Sequence, residues 1–529
     1  SDADTDAAEL AQTPYDLVAA QDPAPALRTG DVLFAPQRAN SRGWNLDNPA
    51  VLSALTPPNA PLSPCPEDTT LAQADAAFTA ARRATQHWSA QGGAARAVVL
   101  DAIADGLEGE ASALFTLLAQ EAGKTIDDAV AELREAVDFC RHYAAGARSM
   151  TSDCRPRGVV VAISPWNFPL AIFTGQVSAA LAAGNCVIAK PAEQTPRIAA
   201  LAVHIMHQAG VPTEVLHLLC GPGETLGAHL TQCGQADMVV FTGSTETARR
   251  IGEAISRSAK PGAPLLAETG GLNAMIVDSS ALLERAVDDI VASAFRSAGQ
   301  RCSALRMLYV QDDIYEPLLT MLIGAAETQT LGDPQDFTTD IGPVIDAEAK
   351  ADIDSHVDQA RADGRLIWQG KAPQGVFCAP AIIELPTISA LQREVFGPVL
   401  HIAPYPAGGE NQVIADINAR GYGLTFGVHS RIAQRYRACA HASSAGNVYI
   451  NRNQIGAIVG SQPFGGHRLS GTGPKAGGPL YLGAFTLDHE PHVTSSAQYM
   501  PGPDGEENLY RATPRGRILC LAQIGRAHV

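Results

Sequence analysis

The chain has 529 residues, 46% of them hydrophobic, which suits two or three domains with sizeable buried cores and argues against wholesale disorder. Thirty-eight Lys and Arg against 55 Asp and Glu give a formal net charge of -17, which excludes an electrostatic nucleic-acid surface. Its 10 cysteines form no C-x-x-C pair and there is no His cluster at ligand spacing, so neither a metal site nor a disulfide framework is expected, and a reducing cytoplasm fits best.

The polar opening SDADTDAAEL is no signal peptide, and no apolar run approaches the roughly 20 residues that span a bilayer. Residues 1–55, rich in Pro, Asp and Ala and lacking an initial Met, read as a connector and as part of something longer. From Thr70 to about Ala147, apolar residues recur at helical spacing (Leu71, Ala74, Phe78, then Leu100, Ile103, Leu107, Leu114), predicting three or more amphipathic helices.

After Arg155 the pattern changes. GVVVAISPW predicts a strand and turn, QVSAALAAG a helix and NCVIAKPA a second strand, together a βαβ unit. The helix RIAALAVHIMHQAG, the strand EVLHLLCG, a helix near ETLGAHLTQCG, the strand ADMVVFTG and the helix TETARRIGEAIS continue the alternation, which predicts a parallel, doubly wound sheet. A second alternating stretch starts near Ala267 with AMIVD, the helix ERAVDDIVASAFRSAG and the strand RMLYVQ. Later strands at LHIAPY, GLTFGVHS and GNVYIN predict a second α/β domain. A Pro- and Gly-rich tail follows from about Ser495.

Cys302, in GQRCSALR, falls between the predicted helix and the strand RMLYVQ, among small and polar neighbours. Cysteine is ordinarily a small buried apolar residue, and that reading fits the other nine. A nucleophile needs a base within reach, and LLAETGG supplies Glu268 at a strand end before two glycines, although alone it reads equally as a capping or solvated carboxylate. In SPWNFPL, Asn167 sits at the carboxyl end of the first strand, where open α/β folds bind ligands. It is either an oxyanion donor or a turn residue before Pro169.

Lys190 and Glu193 follow the second strand, and Gly243 and Ser244 open a helix after a later one. Small residues at a helix N-terminus can hold a pyrophosphate, and Lys190 and Glu193 can bond ribose hydroxyls. The G-x-G-x-x-G fingerprint is missing, and a Gly-Ser turn also occurs for capping alone.

SPWNFPL, KPAEQTP, FTGSTETARRIG, ETGG, GQRCSALR, EVFGP and QPFGGHRLSGTGPKAGGP, in this order across about residues 56–498, resemble the aldehyde dehydrogenase superfamily. The resemblance implies an α/β fold with a doubly wound NAD-binding domain (56–267), an α/β catalytic domain (268–483) and a bridging β element (141–157 with 484–498) that makes homodimers or larger assemblies. It implies Cys302 as nucleophile, Glu268 as base, and Asn167 with the Cys302 backbone N–H as oxyanion hole. Ser164, Pro165, Trp166, Lys190, Glu193, Gly223, Gly243, Ser244 and Gly270 would hold NAD, with Glu394 and Phe396 positioning the nicotinamide end. Ala248 and His467-Arg468 depart from the residues usual at those positions, and the latter pair would alter the rim of the site.

NRNQIGAIVGSQPFGGHRLSGTGPKAGGP, TGSTETARRI and ETGGLNAMIVDSSAL narrow the likeness to the glutamate-semialdehyde dehydrogenase half of bifunctional proline-utilization proteins. RANSRGWNLDNP (38–49) is similar to the connector after their proline dehydrogenase barrel, and RATPRGRILCLA (511–522) to a later segment. A small aldehyde as substrate and a proline dehydrogenase domain of the parent chain as partner follow from that likeness. It implies that Ser303 with the Gly456-Ala457 backbone anchors the amino-acid tail while Phe168 and Phe464 flank the methylenes; both rings also read as ordinary core. IGRAHV at the end resembles no family segment, so the tail (499–529) is expected to be truncated. Two alternatives stay open: a dehydrogenase for another small semialdehyde, and a non-catalytic domain of this family serving assembly.

Overall fold

A computed structural model describes residues 33–55, 64–151, 154–260, 262–487, 497–503 and 505–512. Most of the expected connector (1–32), the first residues of the expected NAD-binding domain (56–63) and the end of the tail (513–529) lie outside these residues. After the short helix α1 (Pro49–Leu55), the amphipathic region forms four helices: α2 (Leu71–Ala90), α3 (Gly92–Gly109), α4 (Ala111–Ala122) and α5 (Ile126–Arg148). Thr70 and Gln73 start α2 as a reciprocal capping box, which satisfies otherwise orphaned N–H groups.

Five parallel strands make the first sheet: β1 (Val159–Ile163), β2 (Cys186–Lys190), β3 (Leu216–Leu218), β4 (Met238–Gly243) and β5 (Leu265–Thr269), in the order β3-β2-β1-β4-β5. Helices α6 (Ala171–Ala182), α7 (Pro196–Gln208), α8 (Ala228–Gln232) and α9 (Thr245–Arg257) connect them, and α5 packs against α6. Strands β1 and β2 are covered on both faces, which is why they read as unbroken apolar runs. The helix expected near ETLGAHLTQCG begins as a π-turn (Gly223–Gly227) before α8. Strand order reverses between β1 and β4, so a crevice opens there at the strands' carboxyl ends.

The second sheet is larger. Its elements are β6 (Ala274–Val277), α10 (Leu283–Phe295), β7 (Met307–Gln311), α11 (Tyr315–Glu327), α12 (Ala347–Ala362), β8 (Leu366–Gln369), β9 (Ala381–Glu384), β10 (Val399–Tyr405), α13 (Glu410–Ala419), β11 (Thr425–His429), α14 (Ala433–Ala442) and β12 (Asn447–Ile450). The order is β12-β11-β6-β7-β10-β9-β8, parallel except for β8 against β9. Each sheet is the centre of its own apolar core.

The stretch 141–157, read as part of a bridging β element, differs from that expectation. Residues 141–148 are the last turns of α5, whose inward side includes Tyr143, Ala144 and Ala147, so burial at helical period prevails there. Pro156 meets Thr486 through one antiparallel bridge, and residues 488–496 lie outside the described set. Beyond them β13 (Gln498–Met500) pairs with β14 (Asn508–Tyr510) as an antiparallel hairpin.

The returning segment is fastened to the first sheet by polar groups. Asn185 Nδ2 donates to Phe485 O and Ala180 O at 3.1 Å each, its Oδ1 accepts from Gly158 N, and Arg157 Nε donates to Ala484 O. Asn185 is fully buried, so truncating it leaves the Gly158 N–H without its acceptor and takes one of two donors each from Phe485 O and Ala180 O, which keep bonds from Arg157 N and Asn185 N. Asn185→Ala should therefore lower the unfolding free energy by roughly 1–3 kcal/mol, read by denaturant titration.

Candidate active site

Glu268, Cys302 and Asn167 meet where the two sheets abut. Glu268 lies in β5 one residue before its end, at the boundary of the first sheet. Cys302 follows α10 through a one-turn 3-10 segment, Arg296–Gly299, and precedes β7. Asn167 sits in the turn between β1 and α6, and its Nδ2 donates to Gln300 O at 3.1 Å, which sets the amide against the cysteine loop.

That loop is conformationally unusual. Ser297 (φ 54) and Ala298 (φ 52) occupy the left-handed region that side chains disfavour. At Gly299 (φ +67) an added Cβ would lie 2.1 Å from Gly397 O, so only glycine allows the approach. Arg306, 0% exposed, donates to Gly299 O and Arg301 O of the loop and to Glu394 Oε1 at 3.0 Å. Asn273 Nδ2 donates to Cys302 O and Ala304 O. Burial, reinforced by Glu394 and Glu268 and opposed by Arg306, pushes the Cys302 thiol up to about 12.

Glu268 is wrapped by the glycines of FGGHRLSG. Gly466 N donates to Oε2 at 2.7 Å, while a Cβ at Gly465 or Gly471 would stand 2.8 or 2.7 Å from a carboxylate oxygen. Oε1 is buried without a hydrogen-bond partner among the described residues. Burial lifts this carboxyl to about 8 against the opposing pulls of the Gly466 N–H and Lys475. Lys475 is itself lowered to about 8 by burial, with Glu268 pulling the other way. A carboxyl poised near neutrality with one unpartnered buried oxygen, close enough to Cys302 to act on its charge, is suited to taking a proton from water.

The residues expected around a dinucleotide gather at the carboxyl ends of the first sheet. Gly243 and Ser244 open α9, but the Ser244 hydroxyl caps Thr247 N at 3.1 Å, so the capping role is realised. Lys190 ends β2 nearly buried, Nζ donating to Pro191 O, and burial lowers its pKa despite Glu193. Exposed Glu193 accepts from Gly223 N at 3.0 Å. The Ser164 hydroxyl donates to Gln176, Pro165 follows in the same turn, and Trp166 meets Phe396 edge-on at 5.6 Å. Gly270 packs so closely on Glu394 that a Cβ would lie 1.9 Å from Oε2. An exposed helix start beside small residues, a lysine and a carboxylate fits a dinucleotide.

The residues expected to bind the substrate tail come from the Asn167 turn, the cysteine loop and the stretch after β12. The part-buried Phe168 ring has Lys124 Nζ 4.1 Å from its centroid. Phe464, also part-buried, pairs with Ala476 through backbone hydrogen bonds. Ser303 is buried, its carbonyl accepting from Thr425 Oγ1, and Gly456 and Ala457 follow Ile455, whose carbonyl accepts from Arg301. Four charged residues escaped the sequence reading: Arg306, Lys475, Asp128 and Glu132. Arg306, Asp128 and Glu132 are buried and Lys475 is half-buried, a costly condition that local sequence does not reveal because most of the partners are distant.

Residues 59–488 match the aldehyde dehydrogenase family. The chain belongs to this family. It is 47% identical over 501 residues to the bifunctional protein PutA of Escherichia coli (strain K12), covering 82% of this chain and 38% of that one. A crystal structure of a bifunctional proline utilization A protein superposes with a TM-score of 0.84 at 50% identity, over 88% of this chain and 49% of the other. The chain thus spans half or less of the PutA relatives it matches. A 1-pyrroline-5-carboxylate dehydrogenase from Thermus with bound NAD gives a TM-score of 0.75 at 36% identity, over 79% and 85%. No described helix is long and apolar enough to cross a membrane.

The elevated Glu268 carboxyl has a pH signature. Between the ordinary carboxylate range and about 8 the folded chain holds a proton that the unfolded chain has released, so this group's contribution to stability falls as pH rises through that window. If Glu268 is the base, turnover should climb with pH through about 8, and Glu268→Gln should abolish that limb in a pH–rate profile.

Proposed function

We infer that this chain oxidises L-glutamate γ-semialdehyde to L-glutamate with NAD. The observation that carries the reading is the convergence of the cysteine loop, the uplifted carboxyl of Glu268 and the amide of Asn167 on one junction. The names of the relatives favour this aldehyde, since 1-pyrroline-5-carboxylate is the cyclised form of the semialdehyde.

The Cys302 sulfur adds to the aldehyde carbon after losing its proton, a demand that burial makes steep and that a carboxylate nearby can meet. Asn167 Nδ2 and the Cys302 backbone N–H face the oxygen that becomes negative, each donor contributing about 3 kcal/mol of barrier lowering. NAD, when bound, supplies the hydride acceptor. Its pyrophosphate would sit on Gly243 and Ser244, its adenosine ribose near Lys190 and Glu193, and its nicotinamide end near Glu394 and Phe396. Gly223, with open space beside it, Gly270, packed against Glu394, and residues 164–166 would line the cofactor site. Glu268 then takes a proton from the water that hydrolyses the thioester on Cys302.

On the far side, Ser303 and the backbone of Gly456 and Ala457 would hold the α-carboxylate while Phe168 and Phe464 flank the methylenes. Because the PutA relatives are at least twice as long as the matched region, the partner we infer is a proline dehydrogenase domain in the same parent chain. A cytoplasmic homodimer or larger assembly completes the reading.

NADH formation at 340 nm with glutamate semialdehyde tests the assignment. Wild-type protein should turn over this aldehyde faster than succinate semialdehyde, and Cys302→Ala should be inactive while retaining NAD affinity. A wild-type protein that binds NAD without forming NADH would instead be a binding module. Glu193 is exposed where a 2′-phosphate would approach, so Glu193→Gln should narrow the preference for NAD over NADP, seen in the ratio of kcat/KM values.

A further inference from the structure

Helix α5 presents two buried carboxylates one turn apart, Asp128 (2% exposed) and Glu132 (0%), which that spacing sets on one helix face. Burying carboxylates is unfavourable unless strong partners are supplied, and the partners here are the two loops that carry the proposed chemistry. Glu132 Oε1 accepts from Leu170 N at 2.8 Å and Ala171 N at 3.3 Å. These are first N–H groups of α6, which lacks a side-chain cap of its own. Its other oxygen lies 3.2 Å from Lys124 Nζ. Glu132 therefore fixes the end of the turn on which Asn167 and Phe168 are carried.

Asp128 does the same for the opposite loop. Oδ1 accepts from Arg301 Nη2 at 2.6 Å and Oδ2 from the Ser297 hydroxyl at 2.7 Å, while Arg301 Nε also donates to Ser297 Oγ. Ser297 is one of the two residues of this loop that carry a side chain in the left-handed region, and such a conformation persists only where surrounding contacts over-determine it. Burial disfavours the charge on Asp128, yet Arg301, Lys124, Arg296 and Ser297 outweigh it and hold the pKa at about 2, so the clamp stays ionised at every working pH.

We propose that Asp128 and Glu132 are positioning residues, a pair of clamps on one rigid helix that sets the gap between the nucleophile loop and the Asn167 turn. One helical turn rises about 5.4 Å, a fixed spacer between two loops from opposite sides of the domain junction. Neither carboxylate touches a reacting atom in the proposed mechanism. The Asn167 contact with Gln300 O is the point at which the two clamped loops meet. The proposal rests on reading Asn167 as the oxyanion donor and Cys302 as the nucleophile.

The test is a double-mutant cycle in the 529-residue chain, with kcat and KM measured for glutamate semialdehyde and NAD. Glu132→Gln keeps the size of the side chain and should lower kcat roughly 10- to 100-fold, as misplacement by about 1 Å does, with KM for NAD nearly unchanged. The double variant with Asn167→Ala should be no slower than Asn167→Ala alone, because Glu132 acts through that amide. A slow Asn167→Ala whose loss multiplies with that of Glu132→Gln overturns this proposal alone. Asn167→Ala at wild-type speed takes down the site reading and the proposal together. Asp128→Asn should slow both the single-turnover NADH burst and Cys302 alkylation by iodoacetamide while NAD affinity is kept; a burst at the wild-type rate overturns the Asp128 half.

Discussion

The arrangement of the site depends first on the guanidinium of Arg306. It is wholly enclosed and reaches Glu394, the carbonyls of Gly299 and Arg301, and the carbonyl of Gly397. Arginine suits this place because its planar fork has five donors in fixed directions and stays charged. A lysine would present one point charge and leave several buried carbonyls unmatched. The cation thus joins the cysteine loop to the segment bearing Glu394 and Phe396, and it stabilises the dense packing at Gly299 that an added methyl group would destroy.

Around that anchor, burial acts in the same direction on both reactive groups. Burial, with Glu394 and Glu268 adding to it, resists the ionisation of Cys302, and burial resists that of Glu268. Two groups that each prefer to keep a proton make a resting site with little charge. Such a site tolerates enclosure in apolar surroundings and gains reactivity only when another charge or a water enters. The glycines around Glu268 are what make the close wrapping sterically possible.

The strands and crossover helices could be read from sequence because their signal is local. Val159–Ile163 and Cys186–Lys190 are apolar runs punctuated by turns, and buried parallel strands must look that way. Cys302 stood out by its polar context, and Glu268 by the glycines that follow it. The charged clamps were not legible, since Arg301 and Asp128 are 173 residues apart and Arg306 and Glu394 are 88 apart. Each of those charges, read alone, looks like a solvated side chain. The stretch after residue 141 misled for a related reason: family order suggested β structure, whereas the period of its buried residues is helical through Arg148. Short strands such as Leu366–Gln369, with no fully buried position, gave no readable pattern.

The clasp formed by Asn185 has a consequence for biosynthesis. Its amide waits for a carbonyl 300 residues downstream, which at ordinary ribosomal speeds means roughly 15–60 s between the appearance of donor and acceptor. The Asn185 bond to the returning segment can form only after residue 485 has left the ribosome, so this fastening is a late step in the folding of the first sheet.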